Sequence, residues 1–550
     1  MFSAFRLFFS ALCFSVCILI SNQSTAQLVL DSTFSDDGMR IDTNTNTNPY
    51  PIYYQKIIEL PDGSYVGGAP NGIHKVLING DKDVSFGVDG AANFPVINGY
   101  AYNGIPCAKC ISLQRDGKIV VLAQVRYNNL INPFMCLMRY TADGILDYSF
   151  LNNGYIVDSL SGHSTEPWGM TIDTVTNADK DVIYMCGTYG HCVNVPNGGT
   201  YCSDGFCVIA VGPDGNYETG FRQGGTWTGF EIPYHVGGQD YFTSMHVISP
   251  DNIILSGVRL ANTYAYFALK VNSMGEIDST FGTNGLWEVT DALFSFNRFA
   301  FTKRLGADKM LLFHSSQYDT DSTYITYLCF DTTGQTVTAF GQNGSIVQSM
   351  NLWKEMGGSN LWFPIAIDSD ERIYTCLYSK PSASSYVHIL RMLPDGSRDA
   401  TFGNNGMFIT EPISNDNCIN GNIMFDALCT HNNKLVLAFL KDYNIYAMNF
   451  GGGIYRYKEK PYFPTANRER IINDLQIGTA HRQLVVCSNE SGMYHIKMYN
   501  LNGQIMFSTS LYLHAAQLSK LFLPIPSNGI YIAEVSQGQK RLTKKVFIGD

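Results

Sequence analysis

Short runs of alternating apolar and polar residues, separated by turn residues, follow one another along most of the chain. When every second side chain is apolar, the run has the pattern of a half-buried β-strand. Many of these runs follow a turn that contains Asp, such as Asp116-Gly117. The pattern predicts antiparallel hairpins, with about four strands in each unit. The clearest alternating runs are Phe134–Tyr140, Phe206–Val211, Tyr266–Val271 and Tyr386–Met392.

A Phe followed four residues later by a Gly recurs seven times, and the successive Phe residues are 52, 64, 71, 60, 59 and 62 positions apart. In six of the seven copies another Gly lies six residues before the Phe. An internal repeat of this length indicates a repeat architecture, and four-stranded units arranged radially form a β-propeller. The seven pairs are Phe34/Gly38, Phe86/Gly90, Phe150/Gly154, Phe221/Gly225, Phe281/Gly285, Phe340/Gly344 and Phe402/Gly406.

The two ends of the repeated region complement each other. The first Phe/Gly element, Leu30–Ile41, has no strand-like runs before it, and the last runs, Leu435–Phe439 and Ile445–Phe450, have no Phe/Gly element after them. A strand from the N-terminus would complete the last unit and leave no exposed sheet edge. We therefore predict an all-β fold in which residues 27–450 form a seven-bladed β-propeller closed by the N-terminal strand.

The Phe/Gly element is expected to be structural. The Phe packs between neighbouring units, and the Gly after it allows a positive φ in a tight turn. The residue three positions before the Phe is acidic in six copies, and a side chain of this kind accepts hydrogen bonds from backbone amides of its own turn. In one copy Val337 stands there, which argues against a metal ligand. The other residues at this position are Asp31, Asp83, Asp147, Glu218, Asp278 and Asp399.

The repeat reads most fully in MGEIDSTFGTNG and PDGSRDATFGNNG, with turns of the form Asp-Gly-Lys-Ile upstream. This pattern resembles the delta-60 repeat family of bacterial surface proteins over roughly residues 28–450. The resemblance implies a β-propeller-like fold and brings no catalytic signature with it.

The C-terminal part of the sequence differs in kind. Residues 451–474 contain Gly451-Gly-Gly and two Pro residues and are predicted to be a linker. The alternating strands of residues 475–550 suit a small β-sandwich. This region, with Tyr499-Asn-Leu-Asn-Gly-Gln, Gly529-Ile-Tyr-Ile and a Lys-rich last strand, resembles the C-terminal sorting domain of Bacteroidetes type IX secretion. The resemblance implies that the outer-membrane translocon is a partner.

The N-terminus has the features of a secretory signal peptide. Arg6 precedes a short apolar run, Leu7–Ile20, and Ser24-Thr25-Ala26 provides small residues before a cut at Gln27. The run is shorter than the roughly 20 residues that a membrane-spanning helix needs. We therefore predict that residues 1–26 are removed and that the protein is secreted or displayed on the outer cell surface after passing through the periplasm.

Charge and cysteine content limit the kinds of binding partner and the state of the thiols. The formal net charge is −10 with no long basic run, which argues against nucleic acid as a partner. Removing the predicted signal peptide, with Cys13 and Cys17, leaves 14 − 2 = 12 cysteines, some of which are expected to pair in an exported protein. Cys107 and Cys110 form a CxxC, and Cys192, Cys202 and Cys207 surround one insertion. Burial as small apolar residues is expected for Cys136, Cys186, Cys329 and Cys376.

The sequence predicts no catalytic residues, no cofactor and no metal site, and a monomer. No P-loop, GxSxG or HExxH motif is present. Two Asp/Asn-rich segments, Asp42–Asn46 and Asn177–Asp181, imitate calcium loops, but the first lacks the Gly and Glu that such loops require and the second is equally weak. His191 and Cys192 near Cys202 permit a metal site, although a disulfide is the better interpretation in an oxidising setting.

Two classes of function remain open. The first is a non-catalytic binding or display module for a glycan or protein. The alternative is a secreted glycan-active hydrolase or lyase with its site at the mouth of the propeller channel, and the fold alone does not decide between them. The longest interval between repeats contains the insertion 187–205, so Tyr189, His191 and Tyr201 are expected near a partner site that a Cys192–Cys202 bridge stiffens.

Overall fold

A computed structural model describes the chain from residue 26 to residue 548, with gaps. Every regular element in it is a β-strand, so the all-β prediction is confirmed. There is accordingly no helix among these residues with the length and apolar character that a membrane span requires. The described residues are 26–35, 37–43, 54–102, 108–127, 133–158, 164–194, 200–222, 224–229, 232, 239–260, 265–290, 300–317, 323–350, 363–379, 386–410, 423–441, 451–461, 475–480, 483–488, 491–500, 503–513, 517–523, 529–537 and 540–548.

The strands belong to two compact units, one ending at residue 461 and the other starting at residue 475. In the described part of the first unit, six antiparallel sheets follow each other along the chain and a seventh combines both ends. The first three are sheet 1, with β3 (Lys56–Glu59), β4 (Tyr65–Ala69), β5 (Gly72–Val76) and β6 (Ala91–Asn93); sheet 2, with β7 (Tyr100–Tyr102), β8 (Ala108–Leu113), β9 (Ile119–Tyr127), β10 (Pro133–Tyr140) and β11 (Tyr155–Asp158); and sheet 3, with β12 (Ser164–Asp173), β13 (Val182–Asn194), β14 (Thr200–Val211) and β15 (Thr226–Gly229).

The next three sheets have four strands each, in sequential order. They are sheet 4, with β16 (Gln239–Ser249), β17 (Asn252–Leu260), β18 (Ala265–Val271) and β19 (Leu286–Thr290); sheet 5, with β20 (Ala300–Leu305), β21 (Lys309–Gln317), β22 (Thr323–Asp331) and β23 (Ser345–Met350); and sheet 6, with β24 (Ile365–Ile367), β25 (Ile373–Ser379), β26 (Tyr386–Met392) and β27 (Met407–Ile409). Strand-like runs predicted from alternation thus coincide with β10, β14, β18 and β26.

Sheet 7 joins the two ends of the unit. It contains β28 (Ile423–Cys429), β29 (Leu435–Lys441) and β30 (Gly451–Pro461), and both β1 (Ala26–Leu30) and β2 (Met39–Thr43) pair antiparallel with β30. The predicted linker at 451–474 is therefore wrong in its first part, because residues 451–461 form a strand. Its glycines allow close approach: a Cβ on Gly453 would lie 2.4 Å from the carbonyl oxygen of Arg40 on β2. The predicted strand Ile445–Phe450 lies outside the described residues.

The N-terminal segment of 25 residues also lies outside the described part, so the signal peptide stays a prediction. Ala26, the last residue before the predicted cut, is the first residue of β1 and pairs with Pro461. A cut at Gln27 would leave four residues of β1 in register with β30.

All seven Phe residues of the repeat are buried, with at most 1% of their surface exposed. Each lies in a core cluster that combines side chains of two sheets, as the sequence analysis predicts. Phe34 packs between sheets 7 and 1, Phe86 between 1 and 2, Phe150 between 2 and 3, Phe221 between 3 and 4, Phe281 between 4 and 5, Phe340 between 5 and 6, and Phe402 between 6 and 7. Every sheet thus shares one apolar core with the sheet before it and another with the sheet after it.

The two glycines of the repeat make room for different neighbours. Gly154, four residues after Phe150, has φ +83°, and a Cβ there would lie 2.4 Å from the side chain of Leu146 in its own turn. Gly144, six residues before Phe150, also has a positive φ, but a Cβ there would in addition lie 2.8 Å from the ring of Phe86. Gly144 therefore allows the turn of sheet 2 to pack against the Phe of sheet 1.

The second unit consists of two sheets around one core. Leu484 and Val486 from the first sheet pack in one cluster with Ile496, Met498 and Val535 from the second, as expected for a small β-sandwich. The first sheet contains β31 (Leu475–Ala480), β32 (Gln483–Ser488) and β35 (Gln517–Phe522); the second contains β34 (Ile505–Leu513), β33 (Gly492–Tyr499), β36 (Gly529–Gln537) and β37 (Lys540–Ile548).

Candidate functional site

In the five Phe/Gly turns that hold an Asp, its carboxylate has two kinds of partner. In sheet 2, Asp147 accepts a hydrogen bond from the backbone amide of Ser149 at 3.0 Å, which confirms the predicted turn role. Its second oxygen lies 2.8 Å from Nε of Arg139, whose guanidinium stacks over Phe150 with 4.7 Å between its carbon and the ring centroid. The turn, the ion pair and the aromatic core are therefore one unit.

This cation has a sequence signal that the repeat analysis missed. It lies eight residues before the acid, and it changes together with the acid from copy to copy. Where Glu218 replaces Asp the position holds Ala210, and where Val337 replaces it the position holds Cys329. The repeated carboxylates are therefore committed to structural pairs. The cation–acid pairs are Lys75–Asp83, Arg139–Asp147, Lys270–Asp278, Arg391–Asp399 and, across the joined ends of sheet 7, Arg456–Asp31.

These pairs make the folding stability of the protein depend on pH. Burial by itself raises the pKa of Asp147, but hydrogen bonds from Ser149 and the charge of Arg139 outweigh it and lower the pKa from 3.8 to about 2. Hydrogen bonds from Lys270 and Thr280 lower the pKa of Asp278 to about 2 as well. In the unfolded chain these groups take up protons at higher pH than in the folded protein.

We expect the free energy of unfolding to be constant with respect to these groups above about pH 4 and to fall as the pH drops towards about 2. Urea titrations between pH 2 and pH 6 measure it. Asp147→Asn and Asp278→Asn should each lower stability at pH 6 and flatten its decline towards low pH. An unchanged slope in the double variant would contradict this assignment, and Asp143→Asn, at an exposed turn position, is the control.

Besides the cation–acid pairs of the repeat, a second group of charged side chains lies on strands near the start of several sheets. These strands contact one another in sequence: β28 with β3, β3 with β8, β8 with β12, β12 with β16, β16 with β20, and β24 with β28. We call Lys56, Lys109, Lys303, Asp426 and Trp168 the inner-strand cluster. Its members come from five sheets, so it exists only when these sheets are assembled.

The inner-strand cluster is held by specific contacts. Nζ of Lys56 lies 3.7 Å from Oδ1 of Asp426, and the other oxygen of Asp426 accepts a hydrogen bond from the amide of Ile57 at 3.1 Å. Nζ of Lys109 lies 5.0 Å from the ring centroid of Trp168. Trp168 is half-buried, and its carbonyl oxygen accepts a contact from the Cys110 thiol at 3.9 Å. Ammonium groups, one carboxylate and an aromatic face thus occur together.

Bulges in the strand register occur where several of these residues lie. In β8 the pairing with β9 skips Lys109, in β12 the pairing with β13 skips Trp168, and in β28 the pairing with β29 skips Phe425, next to Asp426. A β-bulge changes the direction of a side chain, and such bulges are frequent beside active and binding sites. The inner ends of these strands therefore depart from regular pairing at the cluster.

The electrostatics link the members of the cluster. Asp426 raises the pKa of Lys56. Burial lowers the pKa of Lys303, Asp426 partly offsets this, and Lys56 lowers the pKa further. Burial raises the pKa of Cys110, while Lys56 and Lys109 both act in the opposite direction. Lys56 and Lys303 therefore share Asp426 as a neighbour, and Lys56 and Lys109 share Cys110.

Gln55 precedes Lys56 in the sequence and is a buried polar residue, with only 5% of its surface exposed. Neither its amide oxygen nor its amide nitrogen has a hydrogen-bond partner among the described residues. A buried amide without partners costs free energy.

The insertion 187–205 forms the tip of a long hairpin. Strands β13 and β14 extend to Asn194 and from Thr200, and the register places Cys192 directly opposite Cys202. The side chains of His191, Cys192, Tyr201 and Cys202 lie outside the described part, so the bridge stays a prediction. Tyr189 is half-buried and packs against the core between sheets 2 and 3, which leaves it a structural role.

The structure describes several of the cysteines that the sequence analysis singled out. Cys136, Cys186, Cys329 and Cys376 are buried free thiols, as predicted, and Cys207 is a fifth. Cys110 is also free, while Cys107 lies outside the described residues.

In each of the two Asp/Asn-rich segments one carboxylate pairs with an Arg side chain, and residues 44–46 of the first segment lie outside the described part. In the segment Asn177–Asp181, Arg115 of sheet 2 lies 2.5 Å from Asp181 and also bonds the carbonyl oxygens of residues 177 and 178. Asp42 pairs with Arg40 at 2.6 Å. Among the described residues, no group of three or more His, Cys, Asp or Glu is arranged to hold a metal ion.

Models of two known families match the chain, one in each unit. Residues 480–549 match the secretion system C-terminal sorting domain, and residues 114–150 match a β-propeller domain of unknown function (DUF5122). The chain ends in a type IX sorting domain. This domain marks proteins that are exported to the cell surface or secreted, and the predicted location is thereby confirmed. The predicted resemblance to the sorting domain is confirmed, and the match in the first unit supports a β-propeller, in agreement with the predicted resemblance there.

Individual relatives add little. No curated protein matches the chain. Among solved structures, a mutant of the Synechocystis apocarotenoid oxygenase is 10% identical with a TM-score of 0.28, covering 80% of this chain and 95% of that one. A structural genomics protein of unknown function from Bacteroides thetaiotaomicron is 10% identical with a TM-score of 0.23, covering 78% and 92%. Similarities this low carry no argument about function.

Proposed function

We propose that the first unit is a seven-bladed β-propeller closed by the N-terminal strand and that it acts outside the cell as a non-catalytic binding module for a glycan or protein. The shared cores of successive sheets, from sheet 7 through sheets 1 to 6 and back to sheet 7, support closure. The pairing of β1 with β30 supports the role of the N-terminal strand, since it covers an edge that would otherwise be open.

The inner-strand cluster is the observation that carries the binding role. It brings charged and aromatic side chains from five sheets to the first strands, which lie nearest the axis in a propeller. Its carboxylate, Asp426, is engaged by Lys56 and by the Ile57 amide, and the repeated acids are engaged by their cations. Carboxylates engaged in this way are poorly placed to act as a general acid or base, which favours binding over catalysis.

The test is a glycan array probed with the secreted protein, followed by incubation of every bound glycan with the same protein. We expect binding without any released saccharide, measured by chromatography of the incubation mixture. Lys109→Ala/Trp168→Ala should lose binding while Lys82→Met, at an exposed ion pair of sheet 1, keeps it. Release of shorter or unsaturated saccharides would overturn the non-catalytic role and favour a hydrolase or lyase.

A further inference from the structure

The inner-strand cluster carries a charge opposite to that of the whole protein. Lys56, Lys109 and Lys303 contribute three positive charges and Asp426 one negative charge, so the cluster has 3 − 1 = +2, against a formal net charge of −10 for the chain. A concentration of positive charge in a partly buried place attracts anions selectively, because the surrounding protein screens it less than water does.

We propose that the inner-strand cluster binds the carboxylate group of an acidic sugar. Lys56 and Lys303 supply positive charge, and Lys109 lies over Trp168, whose half-buried ring supplies an apolar surface. A sugar ring has both polar hydroxyls and apolar C–H faces, and a site with one aromatic face and a few placed polar groups matches that chemistry. This inference rests on the proposed binding function and specifies its ligand.

The electrostatics of the cluster agree with an anion. The Lys56 ammonium already lies 3.7 Å from the Asp426 carboxylate, so this place accommodates a negative group. Burial lowers the pKa of Lys303 and Lys56 lowers it further, and a negative group near Lys303 would offset both effects.

Asp426 gives the proposal its sharpest test, because it competes with the ligand for the same lysines. Asp426→Asn keeps an oxygen that accepts the Ile57 hydrogen bond but removes the negative charge. We expect this variant to bind glucuronate more tightly than the native protein and Lys56→Met/Lys303→Met to bind it at least about tenfold more weakly. The exposed Lys82→Met is the matched control and should leave the affinity unchanged.

The measurement is isothermal calorimetry of the full mature chain with glucuronate, glucose and inorganic sulfate at two salt concentrations, with circular dichroism to check that each variant is folded. Glucuronate binding that weakens with salt, with none to glucose, supports the proposal. Equal affinity for sulfate and glucuronate supports the anion site but overturns the sugar, whereas equal affinity for glucose and glucuronate overturns the charge role. Should the array give only neutral glycans, this inference fails while the binding function stands; should it give none although glucuronate binds, the proposed glycan function fails instead.

Discussion

Deleting residues 475–550 is expected to abolish arrival of the protein at the cell surface or in the medium of its type IX-competent host. The deleted segment contains the whole match to the sorting domain, 480–549. It also contains a complete apolar core, in which Leu484, Ile496 and Val535 are fully buried. Because the core clusters of the seven sheets contain no described residue of this segment, the truncated protein should fold and accumulate inside the cell.

Cell fractionation with immunoblotting measures the export, and thermal melting of the purified truncated protein checks the fold. A subtler variant, Ile496→Asp, places a charge in the core of the sorting domain and should reduce export as strongly, because the domain presents its strands only when folded. Val347→Asp, at an exposed position of sheet 5, is the control and should be exported normally. Normal amounts of truncated protein in the medium would refute the sorting role.

The repeat allowed much of the fold to be predicted from the sequence because it reports on packing. A Phe at a fixed distance from a Gly recurs only if the same local environment recurs, and each of these Phe residues fills the space between two sheets. The strand β30 escaped the prediction because Gly451-Gly-Gly has the composition of a linker. In the structure these glycines pair with β29 and β2, an arrangement that depends on partners far away in the chain.

The candidate site was not predictable in the same way. Lys56, Lys109, Lys303 and Asp426 occupy unrelated positions in the sequence and do not recur in register. They approach each other because the first strands of their sheets are brought together, which is a property of the assembled unit. The paired cation of the repeat is different, because its spacing of eight residues from the acid is visible in the sequence. The joint change of both positions at Ala210/Glu218 and Cys329/Val337 indicates that the two residues pair.

Deleting residues 27–43 is expected to destabilise the first unit more than any single substitution. It removes β1 and β2, and with them Phe34 from the core between sheets 7 and 1. Loss of one buried Phe costs about 3–5 kcal/mol, a large part of a typical folding free energy of about 5–15 kcal/mol. Strand β30 would in addition lose its pairing along one edge, and an open edge promotes association. Urea unfolding and light scattering measure the two effects.

The substitution Asp31→Asn tests the same closure of the first unit with a single, nearly isosteric change. Asp31 is fully buried and pairs with Arg456 at 3.0 Å, Lys434 at 2.7 Å and Lys458 at 3.1 Å, all from the other end of the unit. Burial raises its pKa, but hydrogen bonds from these lysines and from Thr33 hold the pKa well below the ordinary value. Asp31→Asn leaves a buried Arg456 without its counter-charge, and a broken buried pair costs about 3–5 kcal/mol.

The matched control is Asp147→Asn, which breaks the equivalent pair with Arg139 inside sheet 2, where both partners belong to one stretch of chain. If the N-terminal strand closes the unit, Asp31→Asn should weaken protection of β1, β2 and β30 against hydrogen exchange together, while Asp147→Asn leaves these three strands protected. Because β1 and β30 are separated by more than four hundred residues in sequence, joint loss has a single physical source, the pairing between them. A variant at Asp31 that exposed β1 alone, with β30 still protected, would show that sheet 7 is stable without the N-terminus and would refute closure by this strand.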